Sequence, residues 1–409
     1  MQTFFGILVG LFVLMFLIVA HEFGHFLAAR RNGVRVKEFA IGFPPRAVAW
    51  VRTKPKKGEK KGRWQKLPKS EWNKDQSSLI FSVNFLPIGG FCAMDGESDD
   101  EDRKGTFGAA SYWGKTKILF AGVAMNWLVA FLILTVLAWT GLPAIISNQF
   151  TLPSDETIHV VEPVTVAEVL PGSPAEAAGF EVGDAFLSAS DGQGDYTPFY
   201  SSDDVIAFNN LHSGAYVEYL ISRDGEEIAL STTLLSAEAD YLLGVTMSLG
   251  SVERSYSWSA PVVAAGLTVQ LTGETFKGLW SLLINVITGT ARQVSTDSAV
   301  RAEGRQQVSD ATAGVSGIVG IIGGYFPAIL SAGPTYVALL AAIISVSLAC
   351  MNVLPIPALD GGRWLLITLS RLRHKRLSKE REAQIVGRAF IFLLILMAVI
   401  TVVDIIRLF

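Results

Sequence analysis

His21-Glu22-Phe23-Gly24-His25 places two imidazoles and a carboxylate within five residues, at the end of the apolar run MQTFFGILVGLFVLMFLIVA. On a helix, residues four apart stand about 40° apart around the axis, one turn above the other, so both rings can reach one tetrahedral zinc ion. Glu22 is turned about 100° from His21, beside such a metal rather than on it. A carboxylate there suits a general base acting on water held at the metal. Alone, the motif is only moderately specific. Its setting sharpens it: counted from Phe4, His21 lies roughly 25 Å along the apolar helix. Ionisable groups within a membrane span are costly and mark function, and a bound cation justifies three of them.

Zinc needs a third protein ligand. His159 and His212 lie in an acidic polar segment and His374 in a basic one, so none is well placed. The segment LACMNVLPIPALDGGRWLL offers Asp360. Pro355 and Pro357 break its helix, and Gly361-Gly362 allow a sharp turn. Broken backbone at membrane depth is tolerated where it lines a polar cavity. The other reading of Asp360 is a cap on a helix beginning near Arg363. Because His21 and His25 lack an anionic or imidazole partner at their level, Asp360 is expected as the third ligand, with one Zn2+ per chain.

The elements that must position these residues follow from hydropathy and charge. Half of the 409 residues are hydrophobic and mean hydropathy is +0.39, which points to a membrane class. Four segments are long and apolar enough to span: 4–27, 118–141, 335–357 and 388–408. The first has no Lys or Arg before Arg30 and no small-residue cleavage pattern, so it reads as a retained helix and not a signal peptide. The stretch 259–289 is interrupted by Gln270, Glu274 and Lys277 and reads as an interfacial amphipathic helix within a 255–333 region.

Residues 30–117 hold 19 Lys/Arg against 10 Asp/Glu, and residues 142–335 hold 6 against 22. The segment RLRHKRLSKER (371–381) is basic again. Positive charge flanking spans marks the cytoplasmic side. With four spans, both basic loops lie inside, both termini lie outside, and Asp360 reaches the same inner level as His21 and His25. A fifth span at 259–289 would break both agreements. The net charge of −3 argues against a nucleic-acid partner, and Cys92 and Cys350 form no disulfide framework.

Residues 150–250 read as an external β-rich domain. Arg223-Asp224-Gly225 between alternating segments is a hairpin signal. The stretch PGSPAEAAGFEVGD is similar to PDZ domains of bacterial proteases, which capture an extended peptide at a sheet edge. The alternative is a small β-domain without a ligand.

HEFGH in a first membrane helix, the PDZ-like insert and NVLPIPALDGGR in a later helix together resemble the site-2 protease family. These are intramembrane zinc metalloproteases of peptidase family M50, and the type this sequence resembles is the bacterial regulator of sigma-E protease, with a single PDZ domain. The resemblance extends to FAIGFPPR (39–46), NFLPIGGFCAMDGE (84–97), AGVAMNWLVA (121–130) and GVSGIVGI (314–321). It implies a multi-pass α-helical membrane protein of four transmembrane helices, with an inserted PDZ-like domain and a membrane-associated β-hairpin or reentrant loop within 31–117. It implies zinc on His21, His25 and Asp360 of the 359–362 motif, with Glu22 as catalytic base. It implies that Asn352 holds the substrate backbone; from physics alone a helix–helix hydrogen bond explains Asn352 as well. Many members carry two tandem PDZ domains, and this chain has room for one.

The resemblance also implies hydrolysis of peptide bonds in transmembrane segments, such as those of anti-sigma factors or remnant signal peptides, in a bacterial inner membrane. NFLPIGGF, with Asn84, Phe85, Gly89 and Gly90, is expected to offer a strand edge in 81–86 to an unwound substrate. The external domain would exclude substrates with bulky external parts. The basic loop 54–75 reads as solvated chain near anionic lipid and the acidic cluster in 97–108 as a solvated turn. The competing reading is a catalytically silent, PDZ-bearing membrane adaptor with a structural zinc; an intact Glu22 argues against it.

Overall fold

The computed structural model describes residues 2–52, 62–72, 78–96, 103–146, 148–192, 195–248, 250–313, 316–374 and 378–408. Much of the basic loop 54–75, most of the acidic cluster, the start of GVSGIVGI and the centre of RLRHKRLSKER lie outside the described residues. The chain divides into two units: Met1–Thr135 with Ala264–Phe409, and Val136–Val263.

The first unit begins with α1 (Gln2–Arg31), an apolar helix without proline that ends on Arg30 and Arg31. Then come β1 (Val36–Arg52), β2 (Trp64–Lys66) and β3 (Ile80–Met94), in sheet order β2-β1-β3. β1 and β3 are each long enough to fold back. Ile41 faces both Gly90 and Val83, so the 38–41 half of β1 lies between the two halves of β3. The 80–83 half is therefore interior, because it also faces Val48–Val51. This corrects the expected edge at 81–86: the half of β3 that ends the sheet is 90–94. Phe26 of α1, Phe39 and Phe81 pack edge-on beneath this sheet. α2 (Tyr112–Thr140) follows, and its residues beyond Thr135 belong to the second unit.

The second unit is β-rich. Its elements are β4 (Leu142–Pro143), β5 (Glu156–Glu162), β6 (Val164–Val169), α3 (Pro174–Ala178), β7 (Ala185–Ser190), β8 (Thr197–Pro198), α4 (Ser202–Leu211), β9 (Tyr216–Arg223), β10 (Glu226–Thr233), β11 (Val245–Met247) and β12 (Ser251–Tyr256). One sheet runs β10-β9-β7-β6-β11, with β8 beside β7, and a second runs β4-β12-β5. The β9–β10 hairpin turns on Asp224 and Gly225, both at positive φ, as an Asp-Gly turn requires. Its core is aromatic: Phe180, Phe186, Phe199, Phe208 and Tyr219. Asp184 is buried. Burial would raise its carboxyl, but Arg223, bound through both carboxylate oxygens at 2.6 and 2.7 Å, outweighs this and holds it below the usual carboxylate range.

The chain returns to the first unit within α5 (Ala260–Gln293), one 34-residue helix followed by α6 (Ser298–Ala313), α7 (Ile318–Gly320), a π turn at Ile321–Tyr325 and α8 (Phe326–Ala332). α9 (Pro334–Val353), α10 (Asp360–Leu372) and α11 (Lys379–Leu408) complete it. Four helices among the described residues are long and apolar enough to cross a membrane: α1, α2, α9 and α11. α5 carries its charged positions among apolar ones and is not among them.

Candidate metal centre

α1 and α2 meet along matched stripes. His21 and His25 are one turn apart on α1, and Ile118, Gly122 and Asn126 are spaced one turn apart on α2. His25 Nδ1 lies 2.8 Å from the carbonyl oxygen of Ile118, and His21 Nδ1 lies 3.4 Å from the Asn126 amide. Between them, Gly122 leaves the space the rings occupy. A Cβ on Gly122 would stand 2.5 Å from His25 Nε2 and 2.7 Å from His21 Nε2. Gly24, on the same helix as the histidines, lets α1 press against the Ala121 carbonyl. Both histidines are buried.

The third element is the turn from α9 into α10. α9 stops at Val353, before Pro355 and Pro357, and α10 starts on Asp360 itself. A Cβ on Gly361 would collide with the Val353 carbonyl and one on Gly362 with the Ile356 carbonyl, so only glycine lets α10 begin this close to the end of α9. The N-cap of α10 is Leu359, with no side-chain cap, so Asp360 is not engaged in capping its own helix. Its Oδ2 stands 3.2 Å from His21 Nε2 and 3.3 Å from His25 Nε2. The two Nε2 atoms are 3.1 Å apart.

These distances can be read as ion pairs or as a metal cradle. Ion pairing needs protons on Nε2, and two protonated Nε2 atoms facing each other at 3.1 Å would repel. Asp360 Oδ2 is buried without a hydrogen-bond partner despite its two nitrogen neighbours, which fits lone pairs converging on one point. Two nitrogen ligands of a tetrahedral zinc stand about 3.3 Å apart. The donor set and its spacing therefore fit a divalent cation, and among the described residues His21, His25 and Asp360 are the one group so arranged.

Glu22 interacts electrostatically with His25, His21 and Asp360, and its carboxylate accepts a hydrogen bond from the amide of Cys92 in the 90–94 half of β3. That half of β3 thus passes beside the metal cradle. The expected substrate residues make the following contacts. Asn352 donates to the Leu348 carbonyl one turn earlier in α9. Asn84 is buried and donates to the Gly42 carbonyl, while Phe85 is exposed. Gly89 stands over the Phe43 ring, and Gly90 packs against the Ala40 carbonyl at the start of the 90–94 half.

Sequence reasoning passed over Gly122 and Asn126. Their signal was present: a glycine and an asparagine four apart in AGVAMN match the four-residue spacing of the histidines they face.

A model of peptidase family M50 matches residues 9–56 and 66–397. The chain belongs to peptidase family M50. It is 29% identical over 392 residues to a putative zinc metalloprotease of Clostridium perfringens, covering 95% of each chain. It is 25% identical to the zinc metalloprotease RasP of Oceanobacillus iheyensis, covering 97% of this chain and 98% of that one. With metalloprotease MmpA of Caulobacter vibrioides it shares 24% identity over 91% of this chain and 88% of the relative. The family match spans α1, β1, α2, the β-rich unit, α9 and most of α11, so the M50 chain includes both units described above.

Proposed function

We propose that this M50 chain is an intramembrane zinc metalloprotease of the site-2 type that cleaves transmembrane segments of membrane proteins. The observation that carries this reading is the convergence of His21, His25 and Asp360 from two apolar helices and a glycine turn, with Glu22 beside them. Bound there, zinc would polarise the scissile carbonyl and acidify water. Glu22 would take the proton from that water and return it to the leaving amine, in general acid–base fashion. The Cys92 amide, donating to its carboxylate, orients it. His21, His25 and Asp360 would be the metal ligands.

The substrate is taken to lie, unwound, along the 90–94 edge of β3, which no described strand covers. Gly89 and Gly90 then admit it closely, and Asn352, Asn84 and Phe85 are assigned to its approach on the resemblance alone. Strand addition uses the substrate's own amides. A proline placed at alternate positions near the cut should therefore slow cleavage; faster cleavage by every such substrate would sink strand addition. The β-rich unit is assigned a PDZ-like, external gating role; a bacterial inner membrane is assigned on the resemblance, and the basic loops flanking the spans support a site near the cytoplasmic face.

The deciding experiment compares wild type with Glu22→Gln in detergent, using a single-span substrate trimmed on its external side. Cleavage by wild type, a loss of about 100-fold or more in the variant, and zinc in both is the expected result. Equal cleavage by both removes Glu22 as base. Zinc in both with cleavage by neither, across a panel of substrates, favours the silent adaptor.

A further inference from the structure

Asn126 is fully buried in α2, one turn beyond Gly122. Its backbone carbonyl accepts a hydrogen bond of 2.8 Å from the hydroxyl of Ser345 in α9. A third helix therefore fixes where its side chain begins. That side chain faces His21, with Nδ2 3.4 Å from Nδ1, while its Oδ1 is buried without a partner. The two ends of a carboxamide have nearly the same shape, and which is which follows from the hydrogen bonds around them.

His25 shows what the neighbouring ring requires. Its Nδ1 faces a carbonyl oxygen, which can only accept, so Nδ1 carries the proton and Nε2 the lone pair. His21 presents its own Nε2 to the same point, 3.1 Å from that of His25 and 3.2 Å from Asp360. If His21 Nε2 is also a lone pair, its Nδ1 must be the proton-bearing donor. An amide NH2 opposite a donor is a mismatch, and an amide oxygen there is a match. Turning the Asn126 amide by half a turn replaces the mismatch with a hydrogen bond and gives the unpartnered Oδ1 its donor.

We propose that Asn126 is a positioning residue: its Oδ1 accepts the Nδ1 proton of His21 and so fixes that ring's tautomer and aim. α2 then carries a paired cradle, with the Ile118 carbonyl for His25 and the Asn126 amide for His21, on either side of Gly122. Groups that hold the far nitrogen of a ligating histidine typically contribute a factor of about 10–100 to metal affinity. The inference rests on the metal-site reading above.

The test measures zinc affinity of the full chain in detergent by chelator competition, together with the visible spectrum of the cobalt-loaded protein. The variants are Asn126→Asp, which offers only acceptors, and Asn126→Leu, which offers nothing. Aspartate should keep zinc within about threefold of wild type or tighter, with the cobalt spectrum unchanged, and leucine should weaken it by about 10–100-fold. If the asparagine NH2 were the group in contact, both variants would lose zinc together, and the proposal would be overturned. Wild-type affinity in the leucine variant would overturn it as well. Thermal transitions of each variant separate lost aim from lost fold, and Asn126→Ala, which adds no bulk, replaces leucine if that variant does not fold. Wild type that binds no zinc at all would instead refute the metal-site reading, a result distinct from either failure of Asn126.

Discussion

Two sets of buried polar side chains, one in each unit, are completed in opposite ways. In Val136–Val263, the buried Asp184, Asn209 and Tyr219 have protein partners that complete them. Asp184 holds Arg223 and also accepts the Glu181 amide at 2.8 Å, and the Tyr219 hydroxyl donates to Asn209. Ser201 and Asp204 close a capping box on α4. In the first unit, His21 Nε2, His25 Nε2 and Asp360 Oδ2 converge with lone pairs facing one another, and Asp360 Oδ2 has no hydrogen-bond partner. The first arrangement stabilises a fold. The second has the donor set and spacing that fit a divalent cation, so on the proposed reading its residues belong to chemistry more than to folding. Breaking the two should therefore give different phenotypes, loss of stability in one and loss of metal in the other.

The largest effect is expected at Gly122. Its replacement by alanine puts a methyl group 2.5 Å from His25 Nε2, inside the space between the rings. Neither ring can retreat freely, because Ile118 and Asn126 hold their other nitrogens. Zinc affinity should fall by about 100-fold or more, with cleavage undetectable and the thermal transition of the β-rich unit unmoved. Zinc retained at wild-type affinity in Gly122→Ala would show that the rings do not hold the metal where they stand.

The converse break lies at Phe186, which is 1% exposed among Phe180, Phe199 and Tyr219. Phe186→Ala removes most of a buried aromatic side chain and should destabilise that unit by about 3–5 kcal/mol in denaturant titration. Zinc affinity of the full chain should stay within about threefold of wild type. A comparable loss of zinc would mean that the two arrangements are not independent.

This contrast also explains what could be read in advance. The β9–β10 hairpin was legible because Asp224-Gly225 is a local signal, and the four apolar helices were legible because length and hydropathy are local too. His21 and His25 were legible as a pair because one helical turn joins them. The α2 half of the centre was not, since Ile118 lies 93 residues from His25 and Asn126 lies 105 from His21, with Ser345 a further 219 away. Asp360 was reached from chemical need, not spacing, and it begins α10 where a cap had been the alternative. The edge of the β-sheet was misplaced for a different reason. Alternation identifies a strand, but it does not say which half of a folded-back strand ends up inside, and here 80–83 is interior and 90–94 terminal.

The smallest expected effect sharpens the comparison within the β-rich unit by asking whether an exposed polar group there is also completed by the protein. Asp155 accepts from the Ser257 and Ser259 hydroxyls at 2.5 and 2.7 Å and from both of their amides at 3.0 Å, just before α5 begins. The Ser257 hydroxyl above all, then Ser259, holds its carboxyl down at about 2. A carboxyl whose folded value is depressed contributes its stabilisation fully above the unfolded value near 4 and loses it as pH falls towards the folded value. The start of α5 should therefore loosen between about pH 4 and pH 2, and Asp155→Ala should show the same loosening at neutral pH. Hydrogen exchange of the amides at 260–263, corrected for the intrinsic effect of pH, reads this directly. Because the carboxylate is exposed, the change should be confined to that first turn. Protection that is unchanged in the variant would mean that water serves the α5 terminus as well as Asp155 does, and that the completeness of the β-rich unit stops at its buried groups.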